Sequence, residues 1–412
     1  MYAVDMKHLI NRPLYLDKLI AYLDKPLIKV ITGMRRSGKS SLLLLLQAHL
    51  QNRVDAHHLI AINFESVSFD FIQDYRDLYA YVKERLPAQG RTYLFFDEIQ
   101  KVEAWEKAVA SFSVDFDVDI FITGSNAQIL SSDLATLLAG RYAEIEVYPL
   151  SLPEFRRFHN LESEASDEVF QRYLQIGGMP SLAALNDSDQ QIMSFLSDLY
   201  GAVLIRDVMT RWRRENKAVP SDPVLLENIL KYMASIMGSY TSGNKIADYL
   251  TSNGRKTSNV TVDSYLRTLE QAYILYRAPR YSIKGKALLK TNAKYYLVDI
   301  GIRNALLGAG ATDRGHILEN VVFLELLRRG YTVSVGKFGE KEIDFIAQNT
   351  QETRYIQVTE HLSEDNLDRE VGVLLEVPDN YSKEVMSTDR SIGNLPGGIR
   401  HHNLIDFLMG EH

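Results

Sequence analysis

The chain has 412 residues, 46% of them hydrophobic and 24% charged, with a formal net charge of −7 and no cysteine. That length exceeds one comfortable hydrophobic core and implies several domains. The lack of cysteine excludes disulfides and thiolate metal sites, and the acidic balance argues against a protein that coats nucleic acid over its whole surface.

No run reaches the roughly 18 apolar residues of a membrane span. Residues 1–11 carry Asp5, Lys7 and His8 and lack the apolar stretch of a signal peptide, so a cytoplasmic chain is expected. Residues 27–32 (LIKVIT) form a short β-branched run that reads as a buried strand. It leads into Gly33, Met34, Arg35, Arg36, Ser37, Gly38, Lys39 and Ser40, a full match to GxxxxGK[ST], followed by Ser41 and a leucine-rich helix. Strand, glycine loop and helix start is the context in which this motif binds phosphates. The glycines let backbone N–H groups turn inward, and the helix N-terminus adds a favourable dipole. Residues 33–41 are therefore expected to hold ATP, with Lys39 reaching the β- and γ-phosphates and the Ser40 hydroxyl ligating Mg²⁺.

A second strand is expected at 59–64 and a helix at 74–86. Residues 93–96 are apolar and end on Asp97 and Glu98. In a doubly wound sheet that strand end lies beside the phosphate loop. Asp97 is expected to hold the metal through its water shell, and Glu98 to polarise the attacking water. The next strand, 119–123, precedes Asn126, the candidate γ-phosphate sensor, with Ser125 and Thr123 as alternatives. Arg141 stands just before a fifth strand at 144–148. It is a candidate for reaching a neighbouring subunit's γ-phosphate; the other reading is a surface arginine capping a helix.

These landmarks, in this order, resemble AAA+ ATPases. Over nearly its full length the chain is similar to a prokaryotic family of AAA+ ATPases with a C-terminal region of restriction-endonuclease-like fold. The resemblance rests on GMRRSGKSSLL, FFDEIQ, TGSNA, LAGRYAEIEVYPLSLPEF, GGMP, EKEIDFIA and YIQVT. It implies a small helical lid after the nucleotide core. Gly177, Gly178, Met179 and Pro180 stop one helix, and a helical stretch at 188–216, ending in Arg211, Trp212, Arg213 and Arg214, fits that lid.

Three short helices at 225–237, 245–252 and 260–272, followed by strands, have the plan of a winged helix, whose third helix can enter the major groove. Residues 271–298 carry Arg277, Arg280, Lys284, Lys286, Lys290 and Lys294 and no acid, with Tyr273, Tyr276, Tyr281, Tyr295 and Tyr296 between them. Such a segment suits phosphate contacts to DNA by a β-wing, with rings available for stacking. The other reading is a solvated hairpin whose cations pair with acids elsewhere and whose tyrosines serve the core.

Residues 315–329 read as an amphipathic helix with Glu319 near its start, and 342–346 and 355–359 as adjacent strands. This resembles the PD-(D/E)xK nuclease core, and Glu319, Asp344 and Gln357 match its ligand positions. Thr359 stands where that pattern has lysine, and Gln357 brings no charge, so the centre is degenerate and a poor Mg²⁺ site. Lys341 is the nearby candidate to replace the missing lysine, from an unusual position.

The expected fold class is α/β: a P-loop core with a parallel sheet (1–160), a helical lid (161–220), a winged-helix region (221–300) and an α/β restriction-endonuclease-like domain (301–412). The expected function is Mg²⁺-dependent ATP hydrolysis by a homo-oligomer that remodels duplex or branched DNA, with no membrane partner. The alternatives are an ATP-gated switch with slow turnover and an ATP-controlled nuclease.

Overall fold

The computed structural model describes residues 9–130, 140–185, 189–198, 200, 205, 208–209, 212, 222–308, 313–390 and 392–410. They group into two units, Met1–Tyr148 with Gln271–Tyr273, and Pro149–Glu270 with Ile274–His412. Leu138 and Ala139 of the LAGR motif, and Arg211, Arg213 and Arg214, lie outside the described residues.

In the first unit, β1 (Ile28–Thr32), β2 (Leu59–Asn63), β3 (Thr92–Asp97), β4 (Val118–Thr123) and β5 (Tyr142–Glu146) form a parallel sheet in the order β2-β3-β4-β1-β5. The helices α1 (Pro13–Ala21) and α2 (Lys39–Gln51) cover one face, where Leu19, Leu42 and Leu46 pack on Ile31, Phe95 and Phe121. On the other face α3 (Tyr75–Arg85) and α4 (Trp105–Asp115) bring Leu78, Val82, Val109 and Phe112 onto Val30, Leu94, Phe96 and Ile122. Consecutive strand residues thus serve opposite cores, so a strand covered on both sides is buried throughout and largely apolar, with the buried Lys29 of β1 paired to Asp119. That is why β1 and β3 are buried along their whole length.

Pairing aligns the strand ends. Ile31 pairs with Thr123, Phe96 with Ile122, and Asn63 with Asp97. The chain order reverses between β4 and β1, which opens a crevice beyond the C-terminal strand ends. The phosphate loop and both acids stand at that crevice.

The second unit begins with α5 (Leu152–Phe158), α6 (Ser166–Ile176) and α7 (Asp189–Asp198). Then come α8 (Pro223–Ser235), α9 (Gly243–Ser252), α10 (Asn259–Gln271), β6 (Leu275–Ser282) and β7 (Ala287–Leu297). Side-chain caps from Asp222 and Ser242 start α8 and α9. The isolated antiparallel bridge Thr241–Ala293 ties the turn before α9 to β7.

The remainder is α11 (Ile300–Leu307), α12 (Arg314–Arg328), β8 (Thr332–Phe338), β9 (Lys341–Gln348), β10 (Thr353–Val358), α13 (Glu364–Glu376), β11 (Ser382–Ser387), β12 (Arg400–Asn403) and α14 (Leu404–Met409). The expected boundary at residue 300 does not separate two sheets. A mixed seven-stranded sheet runs β12-β11-β10-β9-β8-β6-β7, because β6 pairs in parallel with β8 through Arg280, Tyr281 and Ser282. The hairpin expected to form the wing is part of the C-terminal sheet. A hairpin alone is marginal in water, and added strands supply its missing partner edge.

The GGMP motif has a packing reason. Helix α6 ends at Gly177, whose φ is +78°. The Asp299 carboxylate accepts from Gly178 N at 2.6 Å and from Ile302 N at 3.2 Å, where it caps α11. A Cβ on Gly177 would lie 2.2 Å from Asp299 Oδ1. Gly177→Ala combines left-handed strain with this overlap and should cost about 3 kcal/mol. Gly254→Ala, at φ +82° with open space around it, should cost only about 1 kcal/mol. Urea unfolding of the two variants checks this; equal losses would show that the overlap carries no energy.

Candidate functional site

The phosphate loop turns where β1 meets α2, and two glycines make the turn possible. Gly33 has φ +128°, and a Cβ there would sit 2.3 Å from the Val147 carbonyl oxygen. Gly38 (φ +100°) is the N-cap of α2 and offers no side chain to cap it. The first N–H groups of that helix thus remain for an anionic ligand. Ser37 Oγ is buried and finds no hydrogen-bond partner among the described residues, as suits a loop built around a further polar group. The Lys39 ammonium donates to the Gly33 and Met34 carbonyls, both at 2.9 Å. Arg35 reaches outward to Glu65 at 2.7 Å, and Arg36 takes a positive φ of 67°.

Asp97 closes β3 beside Thr123 of β4. Thr123 Oγ1 donates to Asp97 Oδ1 at 2.6 Å and accepts from Glu98 N at 2.9 Å. Burial holds the Asp97 carboxyl above its usual range, opposed by hydrogen bonds from Thr123 and Ser40. Ser40 and Asp97 thus already touch. Two hard oxygens at the end of the phosphate loop fit a Mg²⁺ ion that takes its other ligands from phosphates and water. Both residues also border a cavity of about 530 Å³, lined further by Leu43, Gln47, Ala61 and Phe95.

Glu98 follows in a left-handed backbone conformation (φ 56°), a strained state for a residue with a side chain. Its Oε2 accepts from Ser125 Oγ at 3.1 Å and from Gln100 Nε2. Of the three residues considered at the end of β4, Thr123 orients Asp97 and Ser125 holds Glu98. Asn126 is buried just beyond them. Arg141 is exposed, and its carbonyl accepts from Ile28 N at 2.9 Å. That is the opposite end of β1 from the loop, roughly 15 Å away at the usual strand rise.

The sequence gave no sign of Arg12. This side chain is 2% exposed and donates from Nη1 to Ser37 O (2.7 Å) and from Nη2 to Tyr148 O (2.9 Å). A guanidinium bound to two carbonyls braces the phosphate loop from behind.

In the second unit, Glu319, Asp344 and Gln357 do come together, but through protein partners. Gln357 Oε1 accepts from Asp344 N at 2.7 Å, and its Nε2 donates to Glu370 at 3.1 Å. Thr359 Oγ1 donates to the His361 carbonyl at 3.2 Å. Lys341 pairs with Glu376 instead of entering the centre.

The basic segment divides. Arg277, Lys284 and Lys286 are exposed; Arg280 is half-buried over the Tyr240 ring at 4.7 Å. The Lys290 side chain lies outside the described residues. Lys294 corrects the expectation of a DNA contact. It is 4% exposed and held 2.7 Å from Glu342 Oε1 and 3.3 Å from Glu319 Oε2. Tyr296, stacked on Phe323 at 4.4 Å, and Tyr273 are core residues and cannot stack on bases.

Residues 25–156 match the AAA domain family, and residues 167–313 match a domain of unknown function, DUF8612. An uncharacterized protein of Haemophilus influenzae is 40% identical over 98% of this chain and 99% of its own length. The chain belongs to that protein's family. A second member, the uncharacterized protein MJ1544 of Methanocaldococcus jannaschii, is 32% identical over 84% of this chain and 77% of its own. Among solved structures, the Walker-type ATPase PABY2304 of Pyrococcus abyssi shares the fold at a TM-score of 0.52 and 17% identity, covering 73% of this chain and 97% of that one. The AAA-domain match implies a nucleotide at the loop 33–41. No helix among the described residues is long and apolar enough to cross a membrane.

Arg12→Ala removes two charge-assisted bonds behind the loop, each worth roughly 1.5–3 kcal/mol. Part of that loss should appear as nucleotide affinity weakened about tenfold, with Arg12→Lys intermediate. Titration with a fluorescent nucleotide beside a thermal melt decides the matter: a melt that drops while affinity holds would make Arg12 a stability residue only.

Proposed function

We propose that this AAA protein hydrolyses ATP with Mg²⁺ in the cytoplasm, as a homo-oligomer that acts on DNA. The observation that carries the reading is the pair Asp97–Glu98 at the loop. One carboxylate is fixed beside Ser40; the next is turned away in a left-handed conformation and held by Ser125 and Gln100. Adjacent acids with separate partners can take separate roles. Ser40 and Asp97 would hold Mg²⁺, which neutralises phosphate charge and fixes the γ-phosphate. Glu98 accepts a proton from the attacking water. Lys39 exchanges its loop carbonyls for the β- and γ-phosphates, and Ser125 or Asn126 orients water or phosphate. The distance of Arg141 from its own loop supports action on a neighbour's nucleotide.

Two further assignments belong to this reading. The order α8, α9, α10, β6, β7, with Thr241 bridging to Ala293, supports a winged helix whose wing is shared with a restriction-endonuclease-like sheet. The cations left for DNA are Arg277, Lys284 and Lys286, with Lys290 on the same hairpin.

Turnover is tested with Glu98→Gln, which should bind ATP as the parent does and hydrolyse it at least a hundredfold more slowly. Lys39→Ala should lose tight binding altogether. Mixing Arg141→Ala with Glu98→Gln protein should restore activity at subunit boundaries that combine one intact copy of each residue. Parental turnover by Glu98→Gln removes the base. Tight ATP binding with negligible turnover in the parent itself leaves the switch.

For DNA, three phosphate contacts predict affinity falling roughly fortyfold between about 50 and 200 mM salt. Replacing Lys284, Lys286 and Lys290 with Glu should flatten that slope and weaken all sequences alike, since phosphate contacts carry no base information. An unchanged slope in a folded, ATP-binding triple variant would leave the hairpin with no DNA role.

A further inference from the structure

The acidic centre of the second unit holds more charge than its place in the sheet requires. Glu319 comes from α12, Glu342 and Asp344 from β9, and all three face one cation, Lys294 of β7. Tyr296 OH donates to the same Glu319 oxygen as Lys294, at 3.0 Å. Asp344 Oδ2 accepts from Val358 N at 2.9 Å. The turn before α9 passes directly against the centre. A Cβ on Gly238 would lie 3.3 Å from Glu319 Oε2, and the Tyr240 ring stands 5.8 Å from Lys294 Nζ.

A divalent ion needs several oxygens free to converge on it. Here one oxygen of each acid already has a donor: Glu319 Oε2 takes an ammonium and a phenol, Glu342 Oε1 the same ammonium, and Asp344 Oδ2 a peptide N–H. Among the described residues, no cluster of three or more acidic or histidine side chains is arranged to hold a metal. Burial drives Asp344 and Glu319 above their usual range, and the Lys294 charge opposes that shift. The acids in turn hold Lys294 protonated against its own burial.

We infer that the Lys294 ammonium occupies the place of a divalent cation among Glu319, Glu342 and Asp344, so that this centre is closed by the chain's own counter-ion and works without metal. The cation is covalently tethered and cannot be washed out or exchanged. The centre is then an ion-paired clamp joining β7, β9 and α12, and metal-assisted hydrolysis is foreclosed by occupancy as well as by Thr359. The inference stands apart from the ATPase reading.

The test uses the full chain in an Asp97→Asn background, without nucleotide, so that the loop's charged metal ligand is gone. With Lys294 present, Mn²⁺ should change neither melting temperature nor the electron paramagnetic resonance signal of the free ion. Lys294→Ala should melt roughly 10 °C lower in chelator, as expected when buried acids lose their partner. Mn²⁺ should restore most of that loss, binding at least tenfold more tightly than with Lys294 present. Adding Asp344→Asn should abolish the recovery. Mn²⁺ binding that depends on Asp344 while Lys294 is present overturns the inference, as does a Lys294→Ala protein that folds and gains no Mn²⁺ affinity. If Lys294→Ala folds in neither buffer, Lys294→Met decides, since it keeps the stem and drops the charge. Parental stability for Lys294→Met overturns the inference; a loss that Lys294→Met with Glu319→Gln reverses supports it.

Discussion

A single hydroxyl joins the two acids that stand at the phosphate loop. Thr123 Oγ1 donates to Asp97 and accepts from the Glu98 peptide, so the end of β4 sets the position of the end of β3. The bond exists because β3 and β4 are parallel neighbours in register, and register in a sheet covered on both faces cannot slip without exposing a core. Hydrophobic burial on two faces thus fixes where a carboxylate stands, to within hydrogen-bond length. Burial also raises the energy of the ionised carboxylate. For a buried acid, an opposite charge brought beside it favours the ionised form that burial disfavours.

The loop follows the same logic with backbone groups. Its anion-binding power comes from N–H groups that no side chain caps, and such groups are costly unless something else fixes the loop. Arg12 does that from behind, its buried guanidinium donating to the Ser37 and Tyr148 carbonyls. The Val147 carbonyl, packed against Gly33, closes the remaining side.

The second unit handles charge differently. It carries carboxylates in a sheet core and compensates them internally: Lys294 serves Glu319 and Glu342, and Arg354 serves Glu384. Such pairs contribute little net stability against a hydrophobic alternative, yet breaking one partner is expensive, so they pin strand to helix in one arrangement. The consequence for function is a division of the basic hairpin. Its inner end, at Lys294, belongs to the core; its outer turn, with Lys284 and Lys286, remains at the surface.

Local patterns in the chain determine much of this protein. The apolar runs of β1, β3 and β4, the glycine loop between β1 and α2, and the two acids at a strand end are each legible from a few adjacent residues. Hydrophobic periodicity and loop chemistry are short-range properties. The helices at α8 to α10 and the pairing of β9 with β10 are legible for the same reason. What tertiary structure alone decides is which distant charges meet. Arg12 lies 25 residues from Ser37 and 136 from Tyr148. Lys294 lies 25 residues from Glu319 and shares no local pattern with it. In the sequence Lys294 is one of six similar cations; in the fold it is a counter-ion, because β6 pairs with β8 and carries β7 into the sheet that holds the acids. Long-range strand pairing leaves no periodic trace in composition, and the desolvation that turns a surface lysine into an ion-pair partner exists only once that pairing has formed.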